Sequence, residues 1–207
     1  MRIFRAMLFF ALGLSFLGIS GCDLLQSGQF RDNGDGTITD TEAGLTWFRC
    51  TVGQRWSGDT CEGQPILMSH KEARRAAEGF SYANRTNWRL PSPQESHLII
   101  YCSNHTKSPY IAGQEINYCS ETDESRFTTP TIDKVFFPGA IVTPSNAEEI
   151  DNVSVFKLIT WTSGGASKNI MGIDIRRFAW GTSWISGELS IYSDSQEMAV
   201  LLVSDEQ

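Results

Sequence analysis

The sequence predicts an α+β domain with two short helices in its first half, an antiparallel sheet in its second, and disulfides closing its loops. Three observations carry this. Ser69-His70-Lys71-Glu72 and Ser92-Pro93-Gln94-Glu95 are two capping boxes, each opening a stretch with apolar residues at helical spacing. After about residue 130 the apolar residues recur with a period of two instead, the spacing of half-buried strands. Helices followed by strands, without alternation, indicate α+β rather than α/β. An even set of four cysteines in the body of the chain supplies the staples.

In chain order, the first element is not part of the domain. Arg2 and Arg5 form a short positive region, and Ala6 to Phe16 is an apolar run that stops at Gly18. This is the layout of a bacterial export signal. The run falls short of the roughly 18 residues needed to span a bilayer. It ends in Leu17-Gly18-Ile19-Ser20-Gly21-Cys22, which resembles a lipobox, the bacterial signal whose Cys is acylated and becomes the mature N-terminus. Residues 1–21 are therefore expected to be a signal peptide, Cys22 the lipidated residue and 22–28 a tether. The domain is expected over 29–207, and the chain on the bacterial cell envelope, held to a membrane by lipid. Asp23 after the Cys resembles an inner-membrane retention signal, which leaves inner and outer membrane both open. Several acyl chains, at about 0.8 kcal/mol per buried methylene, make such an anchor effectively permanent.

The domain opens with Phe30 to Asp40, where Asn33-Gly34 and Asp35-Gly36 supply the turn of a hairpin. Leu45-Thr46-Trp47-Phe48 is the next strand. Ala73, Ala76, Ala77 and Phe80 give the first helix one apolar face, ending near Gly79. In the second helix Pro93 sits where its missing N–H costs nothing, and Leu98, Ile99 and Ile100 are expected to carry the helix to Cys102. Strands follow over Val153 to Thr162, around Ile173 and Ile175, and from Phe178 to Trp184, with a turn at Ser186-Gly187. Leu189 and Ile191 mark another strand, and Met198 to Val203 a final buried one.

Of the five cysteines, Cys22 is assigned to lipid, and Cys50, Cys61, Cys102 and Cys119 remain. They contain no C-x-x-C pair, which argues against zinc. Three pairings are possible; Cys50–Cys61 and Cys102–Cys119 are favoured because each closes a local loop rich in glycine and polar residues.

Composition narrows the function. The chain has 207 residues, 41% hydrophobic and 20% charged, with 17 Lys+Arg against 24 Asp+Glu, a net charge of −7. Loss of residues 1–21 removes two arginines and no acid, leaving 15 against 24, or −9. A nucleic-acid binder needs a basic face, so no nucleic-acid partner is expected, and extended polyanions are disfavoured for the same reason. The two close basic pairs, Arg74-Arg75 and Arg176-Arg177, read as solvated faces.

No catalytic set is visible. The three histidines, His70, His97 and His105, form no H-E-x-x-H, and no G-x-S-x-G elbow occurs. Glu95 and His97 are two residues apart, which does not place them on one helical face. No glycine-rich phosphate loop follows a strand, so no nucleotide cofactor is expected. The chain is read as non-enzymatic. From Arg31 to Glu42 the residues Asn33, Asp35, Gly36 and Glu42 fall at positions 3, 5, 6 and 12 of a calcium loop. Arg31 occupies the first ligand position, so a glycine-rich hairpin is the better reading and calcium the lesser one. Trp180 and Trp184 share a strand face with Phe178; exposed they would stack sugars, buried they would be core.

Four blocks together resemble the Lcl C-terminal domain family, named for the C-terminal domain of a collagen-like bacterial adhesin. They are Arg31 to Asp40 with Gly44-Leu45-Thr46-Trp47; Arg49-Cys50, Gly53 to Gly58 and Cys61-Glu62-Gly63; Asn87-Trp88-Arg89-Leu90-Pro91-Ser92 with Glu95; and Ile132-Asp133, Phe137-Pro138 and Trp161-Thr162-Ser163. The resemblance covers most of residues 30–163 and weakens beyond. Residues 140–158 read as an insertion, and Val200-Leu201-Leu202-Val203 stands where the family carries an Arg-bearing strand. The resemblance implies a C-type-lectin-like domain used for attachment or recognition at the bacterial surface, with a glycan or an envelope protein as partner. A structural or accessory subunit of an envelope assembly is the alternative, and an unrecognised envelope hydrolase the third.

Overall fold

A computed structural model describes residues 28–102, 107–119, 131–141, 156–170 and 173–205. The expected signal peptide, Cys22 and nearly all of the tether lie outside the described residues, as do His105, most of the 140–158 insertion and the start of the strand expected from Val153. In chain order the elements are β1 (Phe30–Asp32), β2 (Thr37–Asp40), β3 (Leu45–Phe48), β4 (Arg55–Trp56), β5 (Cys61–Glu62), α1 (His70–Glu78), α2 (Pro93–Leu98), β6 (Ile116–Asn117), β7 (Ile159–Ile170), β8 (Ile173–Ser183), β9 (Glu188–Ser193) and β10 (Val203–Asp205). They form a four-stranded antiparallel sheet β1-β2-β3-β10, a small β4-β5 pair, and a second four-stranded antiparallel sheet β6-β9-β8-β7. Two short helices with antiparallel sheets make an α+β fold.

The order differs from the expectation of helices first and strands last. Five strands precede α1, and the last strand returns to pair with β3, matching Val203 to Trp47 and Asp205 to Leu45. The cause is the segment before it. Met198 to Val203 has no solvent exposure at all. It is extended, yet it does not pair with a single neighbour. Met68 and Met198 exchange two backbone hydrogen bonds, the Val52 N–H donates to Val200 O, the Phe48 N–H to Leu202 O, and Arg89 and Val203 exchange two more. The segment thus threads between elements that are distant in sequence. Each large apolar side chain it buries stabilises the fold by about 1.5–3 kcal/mol.

The β1–β2 hairpin forms as its Asn-Gly and Asp-Gly dipeptides dictate. Gly36 has φ +87°, and a Cβ there would lie 2.5 Å from Tyr82 Oη and 2.7 Å from Trp56; only glycine satisfies both the backbone and the space. Both helices start at the predicted boxes. In α2, Ser92 Oγ accepts from the Glu95 N–H at 3.2 Å and the Ser92 N–H donates to the Glu95 carboxylate at 2.7 Å. In α1 the Glu72 carboxylate accepts from the Ser69 N–H at 3.0 Å, while Ala73 and Ala77 face the core.

Two local expectations are corrected. The second helix ends at Leu98 instead of reaching Cys102. Lys107 Nζ donates to the carbonyls of His97, Leu98 and Ile100 at 3.0–3.3 Å, satisfying groups that a longer helix would have satisfied itself. Ile99 and Ile100 then enter the core, and the Tyr101 N–H donates to Thr131 O. In the strand expected over Val153 to Thr162, the described part is not extended at Phe156–Leu158, and β7 begins at Ile159. Phe156–Leu158 is a turn that lets Phe156 O accept from the Ala199 N–H. The strand over Phe178, the turn at Ser186-Gly187 and the strand at Leu189 and Ile191 all form as read.

Candidate functional site

Both disulfides pair as favoured. Cys50–Cys61 has a Cα separation of 5.5 Å and Cys102–Cys119 one of 5.3 Å, the spacing an unforced bridge requires. The first staples the β3 exit to β5, and the second ties the end of α2 to β6.

The aromatic pair does not provide a sugar platform. Trp184 is 1% exposed, and its indole N–H donates to Thr160 Oγ1 at 3.1 Å. This is how a core tryptophan satisfies its one polar atom. Trp180 is half-buried beside Gly164 and Pro93.

The three weak calcium candidates do not converge either. Asn33 Nδ2 donates to Thr37 Oγ1 and Thr39 Oγ1, and Asp35 Oδ1 accepts from the Thr37 N–H and hydroxyl. Both are committed to their own turn, while Glu42 sits past the other end of β2. Among the described residues no three His, Cys, Asp or Glu side chains gather where a metal ion would fit.

The block Asn87 to Ser92 serves the fold. Asn87 Oδ1 accepts from the Ser204 hydroxyl at 2.8 Å, and the Trp88 indole donates to Arg85 O. Arg49 is similarly built in. It is 5% exposed, pairs with Asp32, donates to the Val135 and Phe136 carbonyls, and lies 4.4 Å over the Trp56 ring.

A groove lies on the surface beside α1. Ala73 and Ala77 are drawn into the core, so Lys71, Arg74 and Arg75, spaced by three and four residues, project together to solvent. His70 anchors the helix start. Its N–H donates to Asp194 O, its Nε2 meets Thr162 O at 2.9 Å, and its ring stands edge-on to Trp161 at 5.2 Å. Burial lowers the His70 pKa, with Arg74 adding to the effect, so the ring is neutral at pH 7. Asp194 follows β9, and its N–H donates to Arg177 O. That bond brings the Arg176-Arg177 stretch of β8 up to the start of α1.

The groove between α1 and Asp194 has a volume of about 270 Å³ and is lined by His70, Lys71, Arg74, Arg75, Glu78 and Asp194. Lys71, Arg74 and Arg75 form no ion pair with another described residue. Of the two basic pairs that read as solvated faces, only Arg74-Arg75 lines this groove. The spacing of Lys71, Arg74 and Arg75 was a readable signal for the helical half of this site. The arrival of Asp194 had none, because it depends on long-range packing.

The family model of the Lcl C-terminal domain matches residues 36–204. The match continues through the segment after Ser163, beyond the blocks that carry the resemblance. No curated protein and no solved structure matches the chain. No helix among the described residues is long and apolar enough to cross a membrane. With some four-fifths of its length covered from the β1–β2 turn to β10, the chain belongs to the Lcl C-terminal domain family, an adhesin-associated group of domains.

Proposed function

We propose that this chain is a lipid-anchored protein of the bacterial envelope whose domain recognises an extracytoplasmic glycan or protein without transforming it. The observation that carries the reading is membership of an adhesin-associated family over nearly the whole domain. The lipobox-like motif at Cys22 supports the anchor, and the basic groove along α1 supports a recognition role.

Further support comes from what the histidines do. His70 is bonded to Thr162 O, and His97 is bonded to Ser108 O and meets Tyr118 edge-on at 4.5 Å. Both ring bonds go to backbone carbonyls, and among the described residues neither ring is seen bonded to a Ser, Thr or Cys side chain as a triad requires. On this reading the fold is of the C-type-lectin-like kind. The return of the last strand to the first sheet, the two helices between β5 and β6 in chain order and the two local disulfides all accord with that.

The experiment is fractionation joined to capture. The full chain should enter the membrane fraction with an acyl mass on its N-terminal Cys, and Cys22→Ser should release it to the soluble fraction. The released chain should retain a glycan or protein from an extracytoplasmic extract. Unchanged fractionation with no acyl mass would refute the anchor. Capture of no glycan, with one envelope protein co-purifying at fixed stoichiometry, would favour an accessory subunit.

A further inference from the structure

Resting on the recognition reading above, we propose that the α1 groove is a subsite for one monoanionic, hydroxyl-bearing unit: a carboxylate sugar residue held by Arg74, Arg75 and Lys71, with its hydroxyls donating to Asp194 and Glu78.

Charge balance is the first argument. The lining brings three cations against two carboxylates, with His70 neutral, so one net positive charge faces the ligand. That complements a monoanion. A chain of sulfates or phosphates would meet Glu78 and Asp194 at the groove and a net-acidic surface around it, and like charges in register are repelled.

Shape is the second. Pockets for drug-sized ligands run from about 300 to 1,000 Å³; this groove, at about 270 Å³ and open to solvent, suits a single ring.

Chemistry is the third. The lining holds no tryptophan, tyrosine or phenylalanine, so a neutral sugar would find no stacking face. A carboxylate would find two guanidinium forks that bind it through paired N–H donors. The carboxylates of Asp194 and Glu78 can only accept hydrogen bonds when ionised, which makes them receptors for ring hydroxyls. Lys71, Arg74 and Arg75 have no competing ion pair among the described residues, so a ligand need not displace one.

The test titrates the chain carrying Cys22→Ser with methyl glucuronide, methyl galacturonide and methyl sialoside, following backbone amide shifts. The methyl ester of each acid serves as its neutral counterpart, and heparin as the polyanion. At least one acid should give saturable shifts confined to α1 and the residues around Asp194, with its ester at least tenfold weaker. Arg74→Gln with Arg75→Gln should weaken the acid at least tenfold; both side chains are exposed, so the fold should be retained. Lys71→Gln provides a second variant with the same expected direction. Asp194→Asn should weaken the acid and strengthen heparin.

Three results would overturn the proposal: no saturable shift with any acid, equal binding of acid and ester, or heparin binding more tightly than every acid at the same residues. A ligand captured by the chain but indifferent to Arg74→Gln with Arg75→Gln removes this subsite and leaves the recognition reading standing. Capture of nothing removes the recognition reading itself.

Discussion

Arg89 grips Glu95 fork to fork, its two terminal nitrogens 2.7 and 2.8 Å from the two carboxylate oxygens. The same guanidinium reaches Asp205 at 2.5 Å, and Glu95 also accepts from the Ser92 N–H at the start of α2. One arginine therefore joins the second helix to β10, while its backbone exchanges two hydrogen bonds with Val203. Arg89→Ala should lower stability by about 1–3 kcal/mol, between the costs of breaking an exposed and a buried ion pair, because the pair is only partly screened. Arg89→Lys should recover little, since an ammonium cannot reproduce the fork. Arg55→Ala breaks an exposed pair with Glu62 and should cost under about 1 kcal/mol. Urea midpoints of the three variants check the order.

Acid should weaken the fold in two steps. Burial lowers the pKa of both His70 and His97, so the unfolded chain takes up their protons first. Stability is whole above the ordinary histidine value of about 6.5 and declines as pH falls through and below it. A second decline belongs to Glu95 and Asp205. Burial alone would raise the Glu95 carboxyl, but the hydrogen bonds from Arg89 and from the Ser92 N–H outweigh it and hold the carboxyl low. The Arg89 hydrogen bond likewise depresses Asp205. Their stabilisation is present above the ordinary carboxylate range and is lost as pH falls below about 4. Thermal melting from pH 8 to pH 3 should show both declines. His70→Gln should flatten the upper one, and Arg89→Ala the lower.

Gly36→Ala should destabilise by about 1–3 kcal/mol, the cost of a non-glycine residue held in a sparsely populated backbone region. The new Cβ would also press on Tyr82 and Trp56. Gly34 has a positive φ as well, but its Cβ would meet nothing within 4 Å, so Gly34→Ala should cost less. The difference between their denaturant midpoints isolates the steric part.

Each disulfide closes a short loop, of separation 11 and 17. The chain-entropy relation gives about 3 kcal/mol for loops of this length. Replacing Cys50 and Cys61 together by Ser should lower stability by about that amount, as should replacing Cys102 and Cys119. Addition of a reductant to the native chain should lower its melting temperature in the same direction.

The features legible in the sequence were those written within a few residues. The hairpin at Asn33 to Gly36 is dictated by two glycines. Both helix starts are dictated by a serine and a glutamate three residues on, and both disulfides close local loops. The features that escaped depend on distant partners. Leu98, Ile99 and Ile100 have the right spacing for a longer helix, and only Lys107, on a separate segment, satisfies the carbonyls that end it. Trp184 alternates correctly with Trp180, yet Thr160 and the core around it make it structural. In the groove, the cationic row of α1 was written in the sequence, while its acidic wall at Asp194 arrives from beyond β9. A surface site assembled from both ends of a domain leaves only half its pattern in any one window.

Recognition without turnover is decided by presenting the mature chain to a carbohydrate array and weighing the bound ligand by mass spectrometry after prolonged incubation. A limited set of ligands should be retained, recovered intact and released by Arg74→Gln with Arg75→Gln. Recovery of a cleaved ligand, with cleavage abolished by a single substitution elsewhere in the domain, would contradict it.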